Sequence, residues 1–139
     1  MKRNAKKSCV LDASALMALI NNEPGAEFIE EYIEHACISS INFTEVLSKM
    51  LEQDVPAEAA QAVLDNFNLE VIAFEQKQIL GTSLLRTQTK QYGLSLADRI
   101  CLDLGKLLKL PIITTDQIWK KLKNQDFNVI VVRTHSNSH

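Results

Sequence analysis

The 139-residue chain has little cysteine and no paired cysteine motif. Its three cysteines, Cys9, Cys37 and Cys101, are odd in number and scattered in apolar surroundings, which suits small buried hydrophobes in a reducing compartment. No C-x-x-C pair occurs, and the three histidines, His35, His135 and His139, lack ligand spacing. That argues against a zinc site, and the histidines are read as surface or tail residues without a role. Long hydrophobic runs are missing too. The basic leader 1–7 is followed by too few apolar residues for a signal peptide before Asp12 interrupts them, so the protein is expected in the cytoplasm. Aromatic residues make up only 6%, which leaves few platforms for stacking unpaired bases. No repeat, low-complexity segment or linker is apparent, so a single domain over 1–139 is expected.

What is present is an ordinary globular balance of 46% hydrophobic and 23% charged residues. A net charge of −2 argues against a protein that simply coats nucleic acid. A locally basic face or a bound divalent cation would still admit phosphate.

Hydrophobic spacing predicts alternating elements. Strand 8–11 leads into a helix over 12–20, stopped by Asn21-Asn22 and Pro24-Gly25. An amphipathic helix over 27–35, with Phe28, Ile29, Tyr32 and Ile33 on one face, precedes a brief strand at 37–39. Helix 42–53 carries the stripe Phe43, Val46, Leu47, Met50 and Leu51, and Pro56 opens a second helix to form a hairpin. Then come strand 68–74, a long helix 75–92 stopped by Gly93, helix 95–108, strand 111–115, a short helix 116–123 and strand 128–132. Apolar strand runs without period-two alternation indicate burial on both faces. The expected fold is therefore α/β, a three-layer α/β/α sandwich around a mainly parallel sheet.

In such a sheet, ligands bind beyond the carboxyl ends of the strands, where Asp12 and Asp116 each follow a strand directly. Each also opens a helix, where Asp is a favoured cap. Asp98 after Ser95, and Glu45 after Asn42, both read as the far partner of a capping box. Capping explains any one of them, but the joint pattern asks for more. Four acids stand in or just before the first turn of four helices, while Glu30, Glu31, Glu34, Glu58 and Glu75 lie on stretches read as solvated faces. Gathered at one sheet edge, the four carboxylates would repel one another unless cations or protons neutralise them. Oxygen donors without histidine or cysteine suit Mg²⁺ or Mn²⁺, and metal-assisted phosphoryl transfer is the natural use.

Four stretches now acquire a common meaning: Val10-Leu-Asp-Ala-Ser-Ala-Leu, Ser40-Ile-Asn-Phe-Thr-Glu-Val, Gly93-Leu-Ser-Leu-Ala-Asp-Arg-Ile-Cys-Leu and Ile112-Ile-Thr-Thr-Asp-Gln-Ile-Trp. In type and order they resemble the motifs of PIN-domain ribonucleases, and among these the VapC-type toxins of toxin–antitoxin pairs. The resemblance implies that Asp12, Glu45, Asp98 and Asp116 are the catalytic acids and hold one or two Mg²⁺ or Mn²⁺ ions. It places Ser14 in a supporting position, with Thr114 or Thr115 as further candidates. It also implies endoribonuclease activity leaving a 5′-phosphate and a 3′-hydroxyl, a homodimer, and a small antitoxin protein as partner. The apolar stripes of 27–35 and 42–67 are candidates for the antitoxin groove. By sequence position, Arg86, Lys90, Arg99, Lys120 and Lys121 are candidate RNA contacts. Asp103 lies about 140° around the helix from Asp98 and is left out of the site, being read as solvated or supporting. One departure stands out. Some family members carry a further acid beyond the fourth aspartate, whereas this chain has Trp119 in that region, so a second metal is expected to bind weakly.

Alternatives are a PIN nuclease of RNA processing without an antitoxin, and a PIN fold kept only as a binding module. A signalling receiver domain is disfavoured, because Asp12 stands alone after the first strand and Val71-Ile-Ala-Phe lacks a phosphate acceptor.

Overall fold

A computed structural model describes residues 7–122 and 127–134. Most of the basic leader, Lys123 at the end of the expected helix 116–123, and His135 and His139 lie outside the described residues. Five strands, β1 (Cys9–Leu11), β2 (Ala36–Ser39), β3 (Glu70–Ile72), β4 (Pro111–Thr114) and β5 (Asn128–Val131), form one sheet in the order β3-β2-β1-β4-β5. Every neighbouring pair is parallel. The expected α/β sandwich is borne out.

Among the described residues six α-helices cover the sheet: α1 (Ala13–Ile20), α2 (Ala26–Glu30), α3 (Ser40–Glu52), α4 (Ala57–Asn66), α5 (Ile79–Thr89) and α6 (Leu96–Leu108). Side chains alternate across each central strand. Cys9, Leu11, Ala36, Ile38 and Ile113 join a core with Leu16, Ile29, Val46, Met50 and Leu64 from α1 to α4. Val10, Cys37 and Ile112 point the other way, into a core with Leu85, Cys101, Leu102, Leu104 and Trp119. Burial on both faces is why these strands read as continuous apolar runs. All three cysteines are free and buried, and burial pushes Cys9 to about 11 and Cys37 to about 12, so neither is an active nucleophile.

Three helices depart from expectation. The helix expected over 27–35 is only the five residues of α2 followed by a 3₁₀ turn at Ile33–His35. Gly25 opens α2 at φ 101°, a conformation only glycine enters easily, and any Cβ there would collide with the Arg133 carbonyl. The long helix over 75–92 breaks into a 3₁₀ turn at Gln76–Gln78, α5, and a second 3₁₀ turn at Lys90–Tyr92 that ends on left-handed Gly93. Ser83, Thr87 and Thr89 turn their hydroxyls back onto the carbonyls of Ile79, Leu84 and Leu85, a local bond that competes with regular helix. The short helix after Asp116 is a 3₁₀ helix, Gln117–Lys121. Among the described residues, no helix is long and apolar enough to cross a membrane.

The strand order matters for chemistry. The chain crosses outward in one direction through β2 and β3, then returns to the other side of β1 with β4, so the order reverses between β1 and β4. A crevice opens at the carboxyl ends of strands flanking such a reversal.

Candidate functional site

Chain direction brings the four acids to that carboxyl edge. Asp12 follows β1, Asp116 lies two residues past β4, and α3 with Glu45 begins as β2 ends. Because α6 leads into β4 and runs back across the sheet, its first turn, with Asp98, lies at the same edge. The acids are graded in depth. Asp12 is 3% exposed, Glu45 and Asp98 are half-buried, and Asp116 is exposed.

Asp12 caps α1 by accepting the Ala15 N–H at 2.8 Å on Oδ1, which also accepts the Ser14 hydroxyl at 2.7 Å. Its Oδ2 accepts the Thr114 hydroxyl at 2.5 Å. Thr114 in turn receives the Asp116 N–H at 3.0 Å, and Ser14 receives the Thr115 N–H at 2.9 Å. The Ser14 and Thr114 hydroxyls stand 3.2 Å apart. Two hydroxyls thus stitch β1 to β4 and tie the Asp12 carboxylate to the backbone that presents Asp116. Thr115 enters this web through its backbone.

Asp98 accepts the Ser95 N–H at 3.0 Å while Ser95 accepts the Asp98 N–H at 3.1 Å, so the expected capping box is real. Asp116 caps its 3₁₀ turn through Ile118 N–H at 3.1 Å. Glu45 is different: Ser39, not Asn42, caps α3, and Asn42 is buried one turn inside the helix. The expected Asn42–Glu45 capping box is therefore absent. The Asn42 side-chain amide instead donates to Glu45 Oε1 at 3.4 Å and to the Ala97 carbonyl of α6 at 3.3 Å.

The acids feel one another. Burial raises Asp12 to about 6 against the lowering effect of its hydrogen bonds to Thr114, Ala15 and Ser14, and the charge of Asp98 adds to the rise. Burial likewise raises Asp98; its bonds to Ser95 oppose this, Asp116 adds to it, and Lys49 pulls it back. Cys101, one turn beyond Asp98 and fully buried, is pushed well up by burial and then by Asp12, Asp98, Cys37 and Glu45. Lys49, exposed one turn after Glu45 on α3, is a cation that the sequence reading missed. Neither ion pair among the described residues, Lys7–Glu70 or Lys77–Glu75, involves a site acid. The carboxylates are neighbours without forming a closed clasp: among the described residues, no three His, Cys, Asp or Glu side chains converge on one point.

One candidate leaves the site, and Asp103, left out of it from the start, has a partner of its own. Arg99 is 8% exposed and donates to the Thr82 carbonyl at 3.2 Å, so it packs against α5 and is not an RNA contact. Asp103 is buried too, not solvated, accepting from Gln78 Nε2 at 3.2 Å. Both are turned about 100° or more from Asp98 around α6. Arg86, Lys90, Lys120 and Lys121 are exposed.

The Asp12 shift has a testable sign. Between the ordinary carboxylate value near 3.8 and about 6, the folded state holds a proton that the unfolded state has released. Asp12 therefore favours folding below this window, and its contribution is lost as pH rises through it, by roughly 2–3 kcal/mol at 1.36 kcal/mol per unit. In ion-free buffer, urea midpoints from pH 4 to 7 are expected to fall more steeply for the wild type than for Asp12→Asn. Parallel curves would contradict the shift.

The PIN domain family model matches residues 9–125. No curated protein matches the chain in sequence. Similar solved structures include VapBC2 from Rickettsia felis bound to a DNA fragment from its promoter, with TM-score 0.71 and 21% identity over 88% of this chain and 97% of that one. DNA-bound VapBC from Salmonella typhimurium has TM-score 0.71 and 18% identity over 91% of this chain and 98% of that one. VapBC-5 from Mycobacterium tuberculosis has TM-score 0.63 and 17% identity over 92% and 99%. At these identities the structures attest the fold, whereas the family match spans nearly all of the sheet and all four acids: the chain belongs to the PIN domain family.

Proposed function

We propose that this chain is a Mg²⁺- or Mn²⁺-dependent endoribonuclease, the toxin of a toxin–antitoxin pair, with Asp12, Glu45, Asp98 and Asp116 holding the ion. The observation that carries the reading is the placement of four acids at the carboxyl edge of the sheet beside the β1/β4 reversal, Asp12, Asp98 and Asp116 at the starts of helical segments and Glu45 in the second turn of α3. The donor set fits the ion. It offers carboxylate oxygens with no histidine or cysteine among the four acids, the hard donors that Mg²⁺ and Mn²⁺ take.

When bound, the ion supplies water activation and neutralises charge developing on the phosphate. The chain's own residues set the geometry. Ser14 and Thr114 occupy Asp12 from both sides and leave Oδ2 with capacity for one further partner. Thr114 also fixes the backbone of Asp116, which faces outward on the substrate side. Lys49 is exposed on α3 and its charge opposes the rise at Asp98, so its ammonium can draw a phosphodiester toward the acids.

The partner reading rests on VapBC complexes as similar structures, and on Phe28, Leu51 and Val63, exposed apolar residues of α2 to α4 on the stretches read as a candidate antitoxin groove. A homodimer, a cytoplasmic location and one domain over 1–139 complete the proposal. The test is incubation of the purified, partner-free chain with total cellular RNA and Mg²⁺ or Mn²⁺. Cleavage that EDTA stops, leaving 5′-phosphate and 3′-hydroxyl ends, is expected. A 2′,3′-cyclic phosphate product would overturn it, because the nucleophile would then be the ribose hydroxyl.

A further inference from the structure

We infer that Asn42 is a positioning residue of this site: its buried amide sets the Glu45 carboxylate against the first turn of α6, which carries Asp98. The inference rests on the metal-site reading above.

Asn42 is 1% exposed in the first turn of α3, although an apolar side chain would fill a buried position without an amide to satisfy. Burying an amide costs free energy unless its hydrogen bonds are met, and here they are met unevenly. Its Nδ2 is shared between Glu45 Oε1 and the Ala97 carbonyl, joining α3 to α6 across 55 residues of chain. Its Oδ1 is buried without a partner. A side chain kept there despite a half-satisfied amide is held by what its donor does.

The donor's effect is specific. Glu45 lies one turn beyond Asn42 on the same face of α3, and a bond to Oε1 restricts the carboxylate while leaving Oε2 open. The second bond ends on Ala97, the residue before Asp98. One neutral amide therefore links the Glu45 carboxylate to the backbone next to Asp98, on a helix from another part of the chain. A lysine in its place would pair with Glu45 and compete with a cation, whereas Asn orients the acid and leaves its charge intact.

The experiment compares Mn²⁺ binding by calorimetry, with no RNA present, for the wild type, Asn42→Leu, Asn42→Ala and Asp98→Asn, each with a thermal melt. Asn42→Leu is expected to keep or raise the melting temperature and to weaken Mn²⁺ binding about 10- to 100-fold, the usual loss when a residue that orients a metal ligand is removed. In RNA cleavage it should need correspondingly more Mn²⁺ and show a lower kcat with KM for RNA unchanged. A folded Asn42→Leu with wild-type Mn²⁺ affinity overturns the inference. Loss of binding only in step with a collapsed melting temperature, in both Leu and Ala variants, assigns Asn42 to folding and also overturns it. If the wild type binds Mn²⁺ no better than Asp98→Asn, the metal-site reading has failed, and this inference falls with it. That result differs from failure of Asn42 alone, in which Asp98→Asn loses binding and Asn42→Leu does not.

Discussion

Asp98→Asn is expected to lower metal-dependent RNA cleavage about a thousandfold while the protein stays folded. The substitution removes a charge and almost no volume. An asparagine at this position still offers an oxygen to the Ser95 N–H, and its own N–H still reaches the Ser95 hydroxyl, so the cap on α6 survives. What disappears is one carboxylate of the proposed ion site. Metal polarisation of a phosphoryl group is worth several kcal/mol of barrier, and each 1.36 kcal/mol is tenfold in rate, hence about three orders of magnitude. Single-turnover cleavage in Mn²⁺, with an EDTA control, measures it. Equal cleavage by the variant, persisting in EDTA, would identify a contaminant and return Asp98 to its cap.

Trp119→Ala should give the largest loss of stability, about 3–5 kcal/mol, because a large side chain leaves a cavity that a parallel sheet cannot close. Trp119 is 1% exposed and packs in the core that contains Val10, Cys37, Leu102 and Ile112. A drop of about 10–20 °C in melting temperature is the expected reading for a domain of this size. Trp119→Phe should lose less, since most of the apolar contact remains and the indole N–H has no partner to forfeit. A melting temperature for Trp119→Ala within a few degrees of wild type would contradict this packing. The consequence reaches the site, because the 3₁₀ turn that Trp119 anchors begins at Asp116.

The alternation of strands and helices, the buried parallel sheet and the acids Asp12, Asp98 and Asp116 at the starts of helical segments were all legible in the sequence. Each is a local signal, carried by apolar spacing, by a capping residue or by an acid directly after an apolar run. The cap on α6 came out as read, Ser95 to Asp98, because a capping box is complete within four residues. The same rule failed at α3. Asn42 and Glu45 have the right spacing, but Ser39 at the end of β2 already takes the cap, and the helix starts two residues sooner.

Arg99 and Asp103 show the other limit. In sequence they flank the site as a cation and an acid, yet α5 packs against that side of α6, and Thr82 and Gln78 claim them. Likewise the apolar spacing over 75–92 could not reveal that 3₁₀ turns at Gln76–Gln78 and Lys90–Tyr92 would flank a shorter helix.

The sequence by itself determined the local elements, the fold class and which acids were candidates, because turns, caps and hydrophobic period act over a few residues. Only the tertiary structure decided which distant residues meet. The reversal of strand order beside β1 brings Ser14 against Thr114 across 100 residues, and the meeting of α3 with α6 brings Asn42 to Ala97. Such contacts depend on which faces pack together to bury apolar surface, and no local pattern along the chain encodes that choice.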